Sequence, residues 1–261
     1  MDSSGMVRVG LITKLWGRPA LTRLFFEYWD ALVVPGAEFV KVAAFTKVED
    51  GKLAQGFGWL AEKVPNEPLA AKGNAACRLL RGEDVDLAIN LGSDDFASPG
   101  YILECCEMVQ AGSTDGSISD YLLPRELYVY NAPTRECTYI WNNHSLTAGA
   151  ALSRRLLEEV GYAPWNPQGH RPDTDMQAGL YKALRRLGGS GYPDMVTGAG
   201  AVVDVKTDEG CYWPGGYEGV KTGGGFRRQV DGPQVLQTYF PFLDEKLCRS
   251  EIGVRAGHDA R

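Results

Sequence analysis

Two adjacent carboxylates close an apolar run in Asp86-Leu87-Ala88-Ile89-Asn90-Leu91-Gly92-Ser93-Asp94-Asp95-Phe96. Apolar residues followed by a Gly-Ser pair read as a strand that stops where Asp94 and Asp95 begin. In an open α/β sheet, ligands bind outside the carboxyl ends of the strands, where loops present polar groups that the sheet holds still. Hard divalent cations such as Mg²⁺ or Mn²⁺ take carboxylate and water oxygens and keep room for substrate phosphates. The pair therefore points to a metal-held nucleotide diphosphate. A plainer use competes with it, because Asp in a loop also caps helices, and a helix begins near Pro99.

The elements that must position this pair alternate in type. Val7 to Thr13 reads as a first strand. Pro19 suits the first turn of a helix whose apolar face carries Leu21, Leu24, Phe25, Tyr28 and Leu32, and Pro35-Gly36 ends it. Phe39 to Thr46 reads as a second strand leading into a charged, Gly-containing connection. Ala70 to Leu80 is a helix, stopped by Gly82, and Asp86 to Leu91 is the third strand. Such alternation predicts βαβαβ with a parallel sheet and right-handed crossovers, so Thr13, Thr46 and Asp94 should meet in one crevice. Beyond a helix over Pro99 to Gln110, the stretches 120–123, 127–130 and 137–141 read as strands or hairpin segments. Thr147 to Gly161 has a helix-like middle, Pro164 to Pro172 is turn-rich, and Asp175 to Leu187 is helical. From Gly188 onward glycine becomes frequent and the chain reads as loop-rich. The expected fold class is α/β, a mostly parallel central sheet with flanking helices and a loop-rich C-terminal region.

Composition narrows the setting. The 261 residues are 44% apolar, enough for a sizeable core, and 27 basic against 33 acidic residues leave a net charge of −6. That balance offers no general basic field for nucleic acid, though a local basic groove is compatible with it. The six cysteines show no C-x-x-C pairs or dense framework, so they read as reduced thiols rather than zinc ligands or disulfides. Neither a signal core nor an apolar run of roughly 20 residues is present, and the expected location is the cytoplasm.

Three separated segments together resemble the nucleotide-sugar half of a GT-A glycosyltransferase: Val9-Gly-Leu-Ile-Thr13 with its following helix, Pro68-Leu-Ala-Ala-Lys-Gly-Asn-Ala-Ala76, and Leu91-Gly-Ser-Asp-Asp95-Phe96. Thr147 to Tyr162, followed by Pro172-Asp-Thr-Asp-Met176, is similar to the acceptor side of the same class. The resemblance implies a catalytic domain over 1–187, with a donor half at 1–112 and an acceptor half at 113–187. The stretch 188–261 is then a Gly-rich extension packing on the same domain. It further implies Asp95 as the principal metal ligand, Asp204 as a late metal ligand, and Asp94 facing the ribose or a metal-bound water. Thr13, Thr46, Lys72 and Asn74 fall at the donor's nucleoside. Asp173 falls at the general base, with Asp175 as the alternative base, although Pro172 stands where the motif more often has another acidic residue.

Each position also has a structural use. The threonines suit loop capping, Lys72 suits solvent exposure, Asp173 suits a helix cap, and Asp204 suits a polar position on a short strand. His144, His170 and His258 lack metal-site spacing. In the tail, Tyr212, Trp213 and Tyr217 suit a sugar or base platform or plain packing, while Lys221, Arg227 and Arg228 suit a diphosphate or a solvated loop. Arg154-Arg155 and Arg185-Arg186 suit exposed ion pairs.

The function expected from the resemblance is metal-dependent transfer of a sugar from a nucleotide-sugar donor, a UDP-linked hexose with Mg²⁺ or Mn²⁺, to an acceptor hydroxyl with inversion. Acceptors to consider are a glycan, a small metabolite, a protein side chain or a hydroxylated base in phage-type DNA. A nucleotidyltransferase and a noncatalytic nucleotide-sugar-binding protein stand as alternatives from other classes.

Overall fold

The structure is a computed structural model that describes residues 5–115, 119–142, 144, 146–167, 172–198, 200–207, 216–222 and 226–249. Its first half runs β1 (Val7–Leu15), α1 (Pro19–Ala31), β2 (Ala37–Phe45), α2 (Val48–Gly56), β3 (Leu60–Lys63), α3 (Leu69–Arg78) and β4 (Leu87–Gly92). β1 pairs in parallel with β2 and with β4, and β2 with β3. β1 carries Val9, Leu11, Ile12 and Leu15 all fully buried, as a central parallel strand covered on both faces requires.

α2 and β3 occupy the connection read as charged and Gly-containing. The apolar signal of α2 is faint because the helix is fixed by polar and close contacts: buried Asp50 accepts the Gly17 N–H at 2.9 Å. Gly51 lies so close to the Phe45 ring that any side chain there would collide with it.

The second half runs β5 (Asp95–Ala97), α4 (Pro99–Asp115), β6 (Tyr121–Pro124), β7 (Glu126–Asn131), β8 (Glu136–Trp141), β9 (Ala151–Ser153), α5 (Arg154–Glu159), α6 (Pro172–Arg186), β10 (Asp194–Val196), β11 (Val202–Lys206), α7 (Gly216–Thr222), β12 (Arg227–Val230), α8 (Gly232–Tyr239) and α9 (Pro241–Arg249). A seven-stranded sheet has the order β10-β6-β9-β4-β1-β2-β3, and a five-stranded sheet the order β12-β8-β7-β11-β5. In the larger sheet β9 runs antiparallel to β4 and β6, while the other described pairings are parallel.

The helix read over Thr147 to Gly161 is therefore shorter than its composition suggests. Ala150, Ala151 and Leu152 are fully buried between β4 and β6, where small residues fit the interior of a sheet. Ser153 then stops the strand and caps α5, its Oγ accepting the Leu156 N–H at 3.1 Å, a favourable N-cap arrangement. The stretch after Gly188 holds more regular structure than its glycine content suggests, since β10 extends the larger sheet and β11 lies inside the smaller one.

The core cluster behind the turn from β4 to β5 is aromatic. Phe25 of α1 lies 5.9 Å from Phe96 and 5.5 Å from Trp59 between ring centroids. Tyr28 meets Phe96 edge-on at 5.3 Å and donates its hydroxyl to the Ala97 carbonyl at 2.7 Å. Phe96 directly follows Asp95, so the helix that crosses from β1 to β2 anchors the carboxylate turn. No described helix is long and apolar enough to cross a membrane.

Candidate metal and donor site

β4 ends at Gly92 and β5 begins at Asp95, so the chain turns sharply through Ser93 and Asp94. Asp95 pairs directly with Asp204 across the antiparallel β5–β11 ladder, and the Val205 N–H donates to the Asp94 carbonyl at 2.8 Å. Carboxylate oxygens of Asp94, Asp95 and Asp204 gather within 4.8 Å of one another, and all three residues are buried. Gly92 leaves them room: a Cβ there would lie 2.7 Å from Asp94 Oδ1 and 2.9 Å from Asp95 Oδ2. Its N–H donates to Asp95 Oδ2 at 2.5 Å.

Two cations enter the cluster. Arg18, just before α1, grips Asp94 with both terminal nitrogens, at 2.6 and 3.0 Å, and reaches Ser93 Oγ at 2.9 Å. Such a bidentate pair is strong and directional. Lys206 Nζ lies 2.9 Å from Asp94 Oδ2 and 2.6 Å from Asp204 Oδ1. Lys206 and Asp204 share a face of β11 because side chains alternate along a strand.

These neighbours divide the carboxylates. Burial disfavours ionised Asp94, but Lys206 and Arg18 outweigh it and hold its carboxyl well below the usual range. Burial, then the charges of Asp204 and Asp94, push the Asp95 carboxyl well up. Asp204 is pushed up to about 6 by burial, with Lys206 opposing and Asp94 adding to the rise. Burial works against the Lys206 ammonium, yet Asp204 and Asp94 keep its pKa above the ordinary lysine value. Three buried carboxyl groups facing two cations gather more hard oxygen donors than those cations engage. That set, with the space that Gly92 leaves open, fits a divalent cation such as Mg²⁺ or Mn²⁺.

The triad forms part of the wall of a cavity of about 310 Å³ that extends past Lys14, Trp16 and Arg18 to Asn66 and Glu67. Asn90 and Thr147 line it on the β4 side. Among the positions expected at the donor, Asp94 lies on this wall, whereas Thr13, Thr46, Lys72 and Asn74 do not line the cavity. Thr13 is fully buried inside the sheet, with no hydrogen-bond partner for its hydroxyl. Lys72 is fully buried rather than solvated; it donates to the Leu15 carbonyl, to Thr46 Oγ1 at 3.0 Å and to Asn66 Oδ1 at 3.2 Å. Burial pushes its pKa down to about 8. Asn74 clamps the backbone of Trp165 with two hydrogen bonds, at 2.7 and 3.0 Å, and Lys14 Nζ sits 5.0 Å from the Trp165 ring centre.

Asp173 and Asp175 lie in the first turn of α6. Four residues after Asp173, Gln177 donates to the His144 carbonyl at 2.6 Å, which ties α6 to the segment carrying Leu146 and Thr147 on the cavity wall. His144 Nδ1 is buried without a partner, and His170 and His258 lie outside the described residues.

Among the described residues of the tail, the basic side chains of Lys221, Arg227 and Arg228 are engaged within the fold. Lys221 pairs with Glu136 and Glu218, Arg227 donates to the Val220 carbonyl, and Arg228 sits 4.8 Å from the Tyr139 ring centre. Tyr217 packs with its hydroxyl near Thr138, while Tyr212 and Trp213 lie outside the described residues. Arg154 pairs with Asp84 and Asp86, Arg155 with Asp120, and Arg186 with Glu159. The five described cysteines are free.

Sequence reasoning missed Lys206, Arg18 and Asn66. Lys206 carried a usable signal, since Asp204 and Lys206 break the apolar run Val202-Val203-Asp204-Val205-Lys206 on the same face. Arg18 carried none, because only the fold brings it beside Asp94.

No family model and no curated protein sequence matches the chain. Solved structures match by fold. The mannosyltransferase PcManGT from Pyrobaculum calidifontis, in complex with GDP-Man and Mn²⁺, aligns with a TM-score of 0.50 at 12% identity, covering 77% of this chain and 57% of its own. S. aureus TarS 1–349 in complex with UDP aligns with a TM-score of 0.53 at 9% identity, covering 77% and 61%. The chain thus spans less than two thirds of the length of either. The chain shares their fold, a mixed α/β architecture around a mostly parallel sheet.

Proposed function

We propose that the chain is a metal-dependent glycosyltransferase that moves a hexose from a UDP-linked donor to an acceptor hydroxyl with inversion. The observation that carries this reading is the buried triad of Asp94, Asp95 and Asp204 at the carboxyl end of β4, open to a cavity in a GT-A sheet. Asp95 and Asp204, with Asp94 beside them, would hold Mg²⁺ or Mn²⁺. Such an ion, when bound, offsets the charge that develops on the departing diphosphate. Arg18 and Lys206 keep Asp94 ionised and fixed in place.

Asn66 supports a base that carries a carbonyl. An ammonium can only donate, so Lys72 holds Asn66 by its oxygen and leaves Nδ2 to donate into the cavity. A carbonyl such as that of uracil, or the C2 carbonyl of cytosine, suits this donor, whereas adenine has no carbonyl. Guanine also offers a carbonyl, and the two fold neighbours are complexes with GDP-Man and with UDP.

On the acceptor side, Asp173 takes the proton from the attacking hydroxyl, with Asp175 as the alternative base. The reading places 1–187 as the catalytic unit and 188–261 as an extension on it. A glycan, a small metabolite, a protein side chain and a hydroxylated DNA base are the acceptors to test.

Release of UDP from UDP-hexoses in the presence of Mn²⁺, with and without each acceptor class, tests the proposal. Binding of UDP and Mn²⁺ without product from any acceptor would favour a binding protein instead. Failure to bind either would reject the reading.

A further inference from the structure

Lys206 is buried at the centre of the acidic cluster, with its ammonium within 3 Å of two of the three carboxylates that would face a metal. An ion held by Asp95 and Asp204 would need oxygen ligands at about 2.0–2.1 Å, beside the Asp204 oxygen that Lys206 already holds. Arg18 occupies the remaining side of Asp94. With all three carboxylates ionised, Arg18 and Lys206 leave the cluster one negative charge. A divalent ion reverses that sign in a buried site, where like charges are poorly screened. A diphosphate restores it.

We propose that Lys206 is the chain's own counter-cation for the triad. It holds the carboxylates together in the absence of metal, weakens divalent binding to the protein alone, and makes tight metal binding depend on the arrival of a diphosphate. Lys206 also lines the cavity, so the ammonium stands where it can pass from Asp204 to a phosphate oxygen. The consequence is an ordered site in which metal and nucleotide are retained together and neither is held firmly alone. This inference rests on the metal and nucleotide reading given above.

The test is isothermal titration of Mn²⁺ into the full chain, alone and with saturating UDP, for the unaltered protein, Lys206→Met and Lys206→Gln. Asp95→Asn identifies the site, since its heat signal should vanish. Circular dichroism confirms folding of each variant, and Lys206→Gln, whose amide still donates to a carboxylate, serves if Lys206→Met does not fold. The expected result is weak Mn²⁺ binding by the unaltered protein and at least about tenfold tighter binding without nucleotide in the neutral variants. The gain in affinity on adding UDP should be correspondingly smaller in those variants. Equal or weaker Mn²⁺ binding by a folded neutral variant, with the signal still lost in Asp95→Asn, overturns the role of Lys206 and leaves the metal site standing. No Mn²⁺ binding by any form, with or without UDP, overturns the metal reading and this inference with it.

Discussion

Asp95 and Asp204 stand directly opposite each other across the antiparallel pair of β5 and β11. Two buried carboxyl groups directly opposite each other resist ionising together, and the Asp95 carboxyl is accordingly pushed well up. The pairing is therefore better suited to holding a cation than to holding the fold. Asp95→Asn should leave the melting temperature without metal unchanged or slightly raised. It should reduce Mn²⁺-dependent transfer by at least about 10²-fold, at or beyond the upper end of the loss typical for outer-shell partners of a metal. Thermal melts and UDP release measured on one preparation check both halves, and full turnover across a Mn²⁺ titration would remove Asp95 from the site.

Gly92 should tolerate no side chain. In Gly92→Ala the new methyl would press on both Asp94 and Asp95, at a cost of about 1–3 kcal/mol for overpacking. Metal-dependent transfer should fall further than this loss explains. Denaturant unfolding gives the first quantity and Mn²⁺ titration the second; a variant equal to the parent in both would show that the turn is slack.

Asp173→Asn should leave UDP binding nearly intact while lowering transfer by roughly 10²–10⁴-fold, the range of a positioned general base. Asp175→Asn is the internal comparison. If only Asp175→Asn loses turnover, the two assignments exchange; if neither does, the start of α6 is structural.

Lys72 predicts a pH effect away from the metal. Its folded pKa is about 8 because of burial, below the roughly 10.4 of an unfolded lysine. Between these values the unfolded chain binds more protons, so stability rises with pH across that window. Lys72→Met should abolish that rise, worth about 2–3 kcal/mol at most. Urea unfolding at pH 8 and pH 10 checks it, and parallel pH dependence in the two proteins would show that Lys72 stays protonated.

Much of the first half of the chain was legible because its signals are local. Val7 to Thr13, the face of α1 and the Asp86 to Leu91 strand have periodicities that one window reveals, and the carboxylates follow directly from the last of these. β9 was hidden because Ala150 to Leu152 reads equally well as helix until β4 and β6 close on it. α2 was hidden because its fixing contacts, Asp50 to Gly17 and Gly51 to Phe45, come from elsewhere in the chain. In the site, Asp94, Asp95 and Asp204 were named from sequence, but Arg18 and Lys206 were not. Charge neutralisation in a buried cluster depends on which distant side chains the fold delivers, and sequence spacing does not record that.

The most direct test of the account is a crystal structure of the chain with UDP and Mn²⁺, with anomalous scattering collected at the manganese edge. The account predicts one manganese peak between Asp95 and Asp204, with the diphosphate beside it and the uracil toward Asn66. Manganese and diphosphate bound together away from Asp94, Asp95 and Asp204 would contradict it.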